Sequence, residues 1–158
     1  MLGEVTDIRG QRVSLHRTYL TAEGAKADVQ VVKKLTASSA LLVGCSVKLA
    51  SAALIKDRLT QGVAEGIETA LACTAATGTP TVAAISAHGK RGISWYCLPQ
   101  EVDRLTIFAD NDSDQVSQEA AASLAQSLKR RGRIIRVLTP PEAGTDWADV
   151  WADQARGL

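Results

Sequence analysis

Apolar and polar residues alternate along the first part of the chain. Glu4–Gly10 (EVTDIRG) and Gln11–Thr21 (QRVSLHRTYLT) mix apolar with polar positions, clearest at Val13 and Leu15, as in a half-buried strand. The two runs meet at Arg9-Gly10, and Gly24 marks a second turn ahead of ADVQVVKKL. CSVKLA reads as a further short strand, and Ala52–Leu59 carries the first helical signal, a weak one. The pattern predicts a small β-rich lead-in over residues 1–60.

From Gly62 the period changes. GVAEG reads as a short strand, and IETALACTAATG as a helix that stops at Gly78, a natural residue for a helix end. TVAAIS and RLTIFAD follow as buried strands. Gln115–Arg131 is the strongest helix, with Val116, Ala120, Leu124 and Leu128 along one stripe and Lys129, Arg130 and Arg131 in the last turn, where cations are favoured. RIIRVLTP is another strand, closed by Pro140-Pro141, and TDWADVWADQAR a final helix capped by Thr145. Strand and helix alternate over residues 61–158. That predicts an α/β fold: a mostly parallel sheet with helices on both faces.

Composition narrows the class without naming it. The 158 residues suit one domain, or one domain with a small appendage. Three scattered cysteines, Cys45, Cys73 and Cys97, form neither a metal-binding spacing nor a disulfide framework. Zinc is therefore not expected, and a reduced, cytoplasmic setting is. No signal pattern opens the chain, and the apolar stretch Ala37–Ile55 is too interrupted for a membrane span. Residues 1–60 hold nine Lys/Arg against five Asp/Glu, whereas residues 61–158 hold nine against twelve. A basic front and an acidic back fit a metal site beside a polyanion track, although so small an imbalance also arises by chance.

The acidic residues are not spread evenly. LTIFADNDSDQ sets Asp110, Asp112 and Asp114 at every second position beyond a buried strand. An EF-hand is excluded, because its glycine and closing glutamate positions are Gln115 and Ala121. A solvated acidic turn and a divalent-cation site both remain. On extended backbone, residues i and i+2 point the same way roughly 6–7 Å apart, and oxygen-only ligands favour magnesium or manganese. Asp114 is expected to cap the following helix instead, since the chain turns there. Glu65 follows an earlier strand, and Asp146 and Asp149 follow the last one. In parallel sheets, sites form outside the carboxyl ends of strands, so these three clusters are expected to share a rim.

Basic candidates are Lys33 and Lys34 in the lead-in, with Arg12, His16 and Arg17, and Lys90 and Arg91 with His88 in the loop SAHGKRG. KRRGRIIR is the densest basic run, but a helix end favours cations without any ligand. Trp147 and Trp151, four residues apart on one helix face, read as packing residues. No nucleophile elbow accompanies the two histidines, which leaves Ser/His/Asp catalysis without support.

In order and context, VAEGIETALA and IFADNDSD resemble the glutamate-glycine and D-x-D motifs of the TOPRIM domain shared by bacterial primases, topoisomerases and some nucleases. GTDWADVW and the lead-in HRTYLTAEGAKA through VKKLT resemble segments of phage and plasmid (mobile-element) primases. The resemblance covers almost the whole chain. It implies a Rossmann-like TOPRIM sheet over residues 61–158 behind the lead-in subdomain. It further implies divalent-metal-dependent synthesis of RNA primers from nucleoside triphosphates on a single-stranded DNA template, with magnesium or manganese as cofactor and helicase or other replication proteins as partners. Glu65 is implied as general acid/base or metal ligand, Asp110 and Asp112 as metal ligands, and Asp146 and Asp149 as holders of a second metal. Lys33, Lys34, Lys90 and Arg91 are expected to contact nucleic acid. Two departures stand out: Thr69 occupies a position that is aspartate in replicative primases, and Ser113-Asp114-Gln115 replaces a basic, glycine-containing run. With no zinc module or helicase within its 158 residues, the chain is expected to be a fragment or a minimal relative. A metal-dependent nuclease and a non-catalytic binding protein are the alternatives.

Overall fold

The computed structural model describes residues 1–85, 102–129 and 133–157. The lead-in opens with the hairpin expected from its alternation. β1 (Leu2–Thr6) pairs antiparallel with β2 (Arg12–Thr18). The turn is fixed by Asp7, whose Oδ1 accepts the N–H groups of Arg9 and Gln11, and by Gly10 at a left-handed φ of 77°. Of ADVQVVKKL, only β3 (Lys33–Leu35) is strand, and it lines the far side of β2.

β4 (Ser46–Val47) lies between β1 and β7 (Thr81–Ala83), antiparallel to both, and its pair Val47↔Ala83 joins the two halves. Residues 1–60 and 61–158 thus contribute to one continuous sheet. The expected helix at Ala52–Leu59 is instead a hairpin: β5 (Ala53–Ile55) turns through Lys56-Asp57 into β6 (Arg58–Ala64). Both turn residues are left-handed, φ 49° and 58°, the two-residue geometry that matches strand twist. Local helix propensity was overridden because β6 is a central strand. It pairs with β5 and β7 along one edge and with β8 (Arg104–Phe108) along the other.

The sheet order is β3-β2-β1-β4-β7-β6-β8-β9, where β9 is Ile134–Leu138 and β5 pairs β6 alongside. Strands β6 to β9 are mutually parallel; every other pairing is antiparallel. The sheet is therefore mixed rather than mostly parallel, because the lead-in hairpins extend the edge of β7 instead of folding as a separate layer.

Alternate residues of the parallel strands feed two cores. Val63, Val82, Leu105 and Ile107 pack under α2 (Val116–Ser127), with its Ala121 and Leu124. Ala64, Ala83 and Phe108 pack on the opposite face under α1 (Ile67–Thr77), with its Ala70 and Cys73. Helices on both faces follow from this period-2 division. α3 (Trp147–Arg156) joins the α1 face through Trp147, whose ring meets Phe108 edge-on at 5.8 Å. Gly62 makes that packing possible: a Cβ there would collide with Thr81 Oγ1 and lie 3.1 Å from the Phe108 ring. Among the described residues no helix is long and apolar enough to cross a membrane.

Candidate functional site

Strand order decides where a site can form. The chain leaves β6 toward β7 on one side and leaves β8 toward β9 on the other. Connections that diverge above neighbouring strands open a crevice at the strands' carboxyl ends. Glu65 directly follows β6, and Asp110 stands two residues beyond β8. One carboxylate thus borders the crevice from each side, on strands about 4.8 Å apart. Glu65 and Asp110 are half-buried and Asp112 is exposed. α1 starts immediately above Glu65, with Gly66 as its N-cap.

The middle residue of the D-N-D triplet holds the rim together. Asn111 donates from its Nδ2 to the Pro140 carbonyl at 2.9 Å and accepts from Gln118 Nε2 at 3.2 Å. Its backbone N–H reaches the Thr145 carbonyl at 3.0 Å, and its carbonyl accepts from Gly144 N–H at 2.7 Å. The backbone N–H of Asp110 donates to buried Ser117 Oγ at 2.9 Å. The β8–α2 loop is thereby bound to the β9–α3 loop. Trp147 adds a further tie, its Nε1 donating to the Ala109 carbonyl at 3.1 Å. Sequence reading passed over Asn111; its place between two candidate ligands was the available signal.

The later acids have a structural task. Asp146, not Thr145, is the N-cap of α3. Its Oδ1 accepts the N–H groups of Ala148 at 2.7 Å and Asp149 at 2.9 Å, and Asp149 Oδ2 accepts the N–H of Asp146 at 3.1 Å. This reciprocal capping box leaves one oxygen of each carboxylate outside it. Thr145 is displaced because its hydroxyl turns back to the Glu142 carbonyl at 2.7 Å. Asp114 serves α2 through the first helical N–H, that of Val116 at 3.2 Å, while Gln115 holds the N-cap position in a left-handed conformation.

Asp110 and Asp146 share a neighbourhood. Burial, then the carboxylates of Asp110 and Asp146, push the Cys73 thiol up to about 12, so the thiol stays protonated and unreactive at neutral pH. Among the described residues, no three His, Cys, Asp or Glu side chains converge into a ready-made cation cage.

The basic candidates separate. Lys33 reaches α1 and pairs with Glu68 at 3.1 Å, beside the Glu65–Gly66 turn. Lys34, its neighbour on an edge strand, is exposed and shares the opposite face with Arg17, its cross-strand partner. Burial opposes the charge of Glu68, but its own backbone N–H, Lys33 and then Lys26 outweigh that cost and hold the carboxyl below its ordinary value. Burial likewise lowers the pKa of His16, with Glu68 opposing and Lys33 reinforcing the shift. Thr69 is buried in α1, and Glu68 beside it is committed to Lys33. Lys90, Arg91 and His88 lie outside the described residues, as do Arg130 and Arg131.

A family model described as "Toprim domain" matches residues 60–157. No curated protein matches the chain. Among solved structures, the primase fragment of the bacteriophage T7 primase-helicase protein is similar at TM-score 0.63 and 17% identity, covering 99% of this chain and 58% of that one. A DnaG primase catalytic domain bound to ssDNA has TM-score 0.63 and 14% identity, with 99% and 48% covered. A DNA primase domain from Pseudomonas aeruginosa has TM-score 0.59 and 19% identity, with 99% and 49% covered. The chain thus spans about half the length of these structures, and at such identities the likeness is one of fold. Because the family model extends over well more than half of the sequence, the chain belongs to the Toprim domain family.

Proposed function

We propose that this chain is a primase-like nucleotidyltransferase module, joining ribonucleotides on a single-stranded DNA template with a divalent metal as cofactor. The observation that carries the reading is that Glu65 and Asp110 follow the carboxyl ends of the adjacent strands β6 and β8 at the switch point of a Toprim sheet. The solved DnaG domain captured with ssDNA supports a single-stranded template, and the T7 primase-helicase supports helicase as a partner.

The donors fit magnesium or manganese. All are carboxylate oxygens, and magnesium keeps several waters and needs only one or two carboxylates plus substrate phosphates, so a preformed cage is not required. Asp110 and Asp112 would hold the ion with Glu65, and the second oxygens of Asp146 and Asp149 would serve a second one. Held there, such a metal would neutralise the charge developing on the transferred phosphoryl group. Glu65, half-buried at the start of α1, takes the proton from the attacking 3′-hydroxyl, whose oxygen bonds the α-phosphorus as pyrophosphate leaves. Asn111 fixes the two aspartates against the β9–α3 loop. Lys33, Lys34, Lys90 and Arg91 contact the nucleic acid, with Lys33 held beside the Glu65–Gly66 turn through its pairing with Glu68.

Template-dependent incorporation of labelled nucleotide is the test, with Glu65→Gln and Asp110→Asn as inactive controls. Chain growth abolished by both substitutions supports the proposal. Cleavage of labelled DNA with manganese and no nucleotides would replace it with a nuclease. Absence of both, with partner capture surviving loss of all five acids, would replace it with a non-catalytic role.

A further inference from the structure

A groove of about 560 Å³ runs between the outer side of α2 and β9, away from the acidic rim. Its floor is aliphatic: Ala122 and Ala125 from one helix face, Ile135 and Val137 from the strand. Lys129 and Arg133 close its far end. Val137 is 41% exposed although aliphatic.

Strand β9 also ends the sheet order, and no described strand pairs with its outer edge. Ile134 donates its N–H to the Asp103 carbonyl, and Leu138 accepts from Ala109 N–H. In a parallel ladder alternate residues face the partner, so the amide groups of Ile135 and Val137 face outward, at strand spacing. The charged side chains that line the groove, Lys129 and Arg133, are both basic.

We infer that this groove is a docking site for a segment of a partner protein that adds to β9 as an extra strand, with aliphatic and acidic residues alternating. The alternation follows from the geometry. Side chains beside Ile135 and Val137 would enter the aliphatic groove. Those between would lie beside Arg136, which is exposed on the other sheet face. Acidic residues at the segment's end would meet Lys129. Edge amides supply affinity and the two rows of side chains supply specificity. A nucleic acid fits less well, because no lining residue offers an aromatic face for a base, and a row of phosphates would leave the outward carbonyls without donors.

Peptides selected on the purified chain from a random display library test this. Their affinities are compared by fluorescence anisotropy for the wild type, Arg136→Glu and Val137→Asp, and amide shifts are followed by NMR. The expected binders alternate Val, Ile or Leu with Asp or Glu, weaken about tenfold or more on Arg136→Glu, and shift the Ile135 and Val137 amides. Arg136→Glu alters an exposed side chain, so an unchanged melting temperature keeps that arm interpretable if Val137→Asp fails to fold. The inference is overturned if no peptide is recovered, if binders lack the alternation, or if both folded variants bind them undiminished. It is also overturned if a single-stranded DNA oligonucleotide shifts these amides and the peptides do not. None of these outcomes depends on primer synthesis.

Discussion

The β8–α2 loop carries Asp110 and Asp112; the β9–α3 loop carries Asp146 and Asp149. Both lie on the carboxyl rim, and the fold treats them differently. In the second loop the aspartates themselves do the structural work, through the capping box at the start of α3. In the first, Asn111, Ser117 and Gln118 hold the backbone, and the Asp112 carbonyl accepts from Gln118 Nε2 and Gln115 N–H. Acidic spacing alone does not distinguish a carboxylate kept for a ligand from one kept for a helix end. The reciprocal capping box marks the second loop's pair as serving a helix end.

The largest effect that would sharpen this contrast is on metal affinity. Asp110→Asn or Asp112→Asn should weaken magnesium binding roughly tenfold or more, because so few carboxylates hold this ion. The melting temperature should stay unchanged. Calorimetric titration beside melting curves reads both, and a fall in stability with either variant would place these residues with the structural pair.

Asp146→Ala is the converse. Loss of the cap should cost about 1–2 kcal/mol of stability, with Asp146→Asn costing far less because asparagine caps well. Asp146→Asn should remove the second magnesium alone; if it abolished all magnesium binding at full stability, the two loops would be alike in function. Asn111→Ala lies between the two cases. Losing its side-chain hydrogen bonds should cost about 1 kcal/mol and also weaken metal binding, as the loops separate. Intact metal affinity in this variant would mean that each loop positions its acids unaided.

The smallest effect is on acid stability, through a carboxylate outside both loops. Glu68 has a folded pKa below its ordinary 4.5, so its contribution is present above that pH and lost as pH falls through the folded value. His16, held below its ordinary 6.5 mainly by burial, binds its proton more readily when unfolded. Its protonation therefore also favours unfolding as pH drops below 6.5. Denaturant midpoints measured from pH 7 to pH 3 should fall less steeply in Lys33→Met, which removes the ammonium that holds Glu68 ionised. An unchanged slope would show that the Lys33–Glu68 pair is too solvated to matter.

Much of this was legible in the chain. The alternation of Leu2–Thr18, the helix ended by Gly78 and the long helix after Gln115 each depend on residues within a few positions of one another. Ala52–Leu59 misled for the same reason: its alanines and leucines favour a helix locally, and only β6, committed to both neighbours, made it a hairpin. The spacing of Asp146 and Asp149 contained a capping box, hidden because Thr145 competed for the same position.

By itself, the sequence determined the types of most elements, the series of acids after successive strand positions and the motifs that mark the family. Tertiary structure alone decided that β6 and β8 are neighbours with diverging connections, which turns Glu65 and Asp110 from separate signals into two walls of one crevice. It also decided that Lys33 meets Glu68 and parts from Lys34, and that β9 ends the sheet with an aliphatic groove beside it. The physical reason is range. Periodicity, caps and turns are set by contacts along the backbone. Strand order is set by which faces can be buried together across distant segments, and no local pattern encodes that choice.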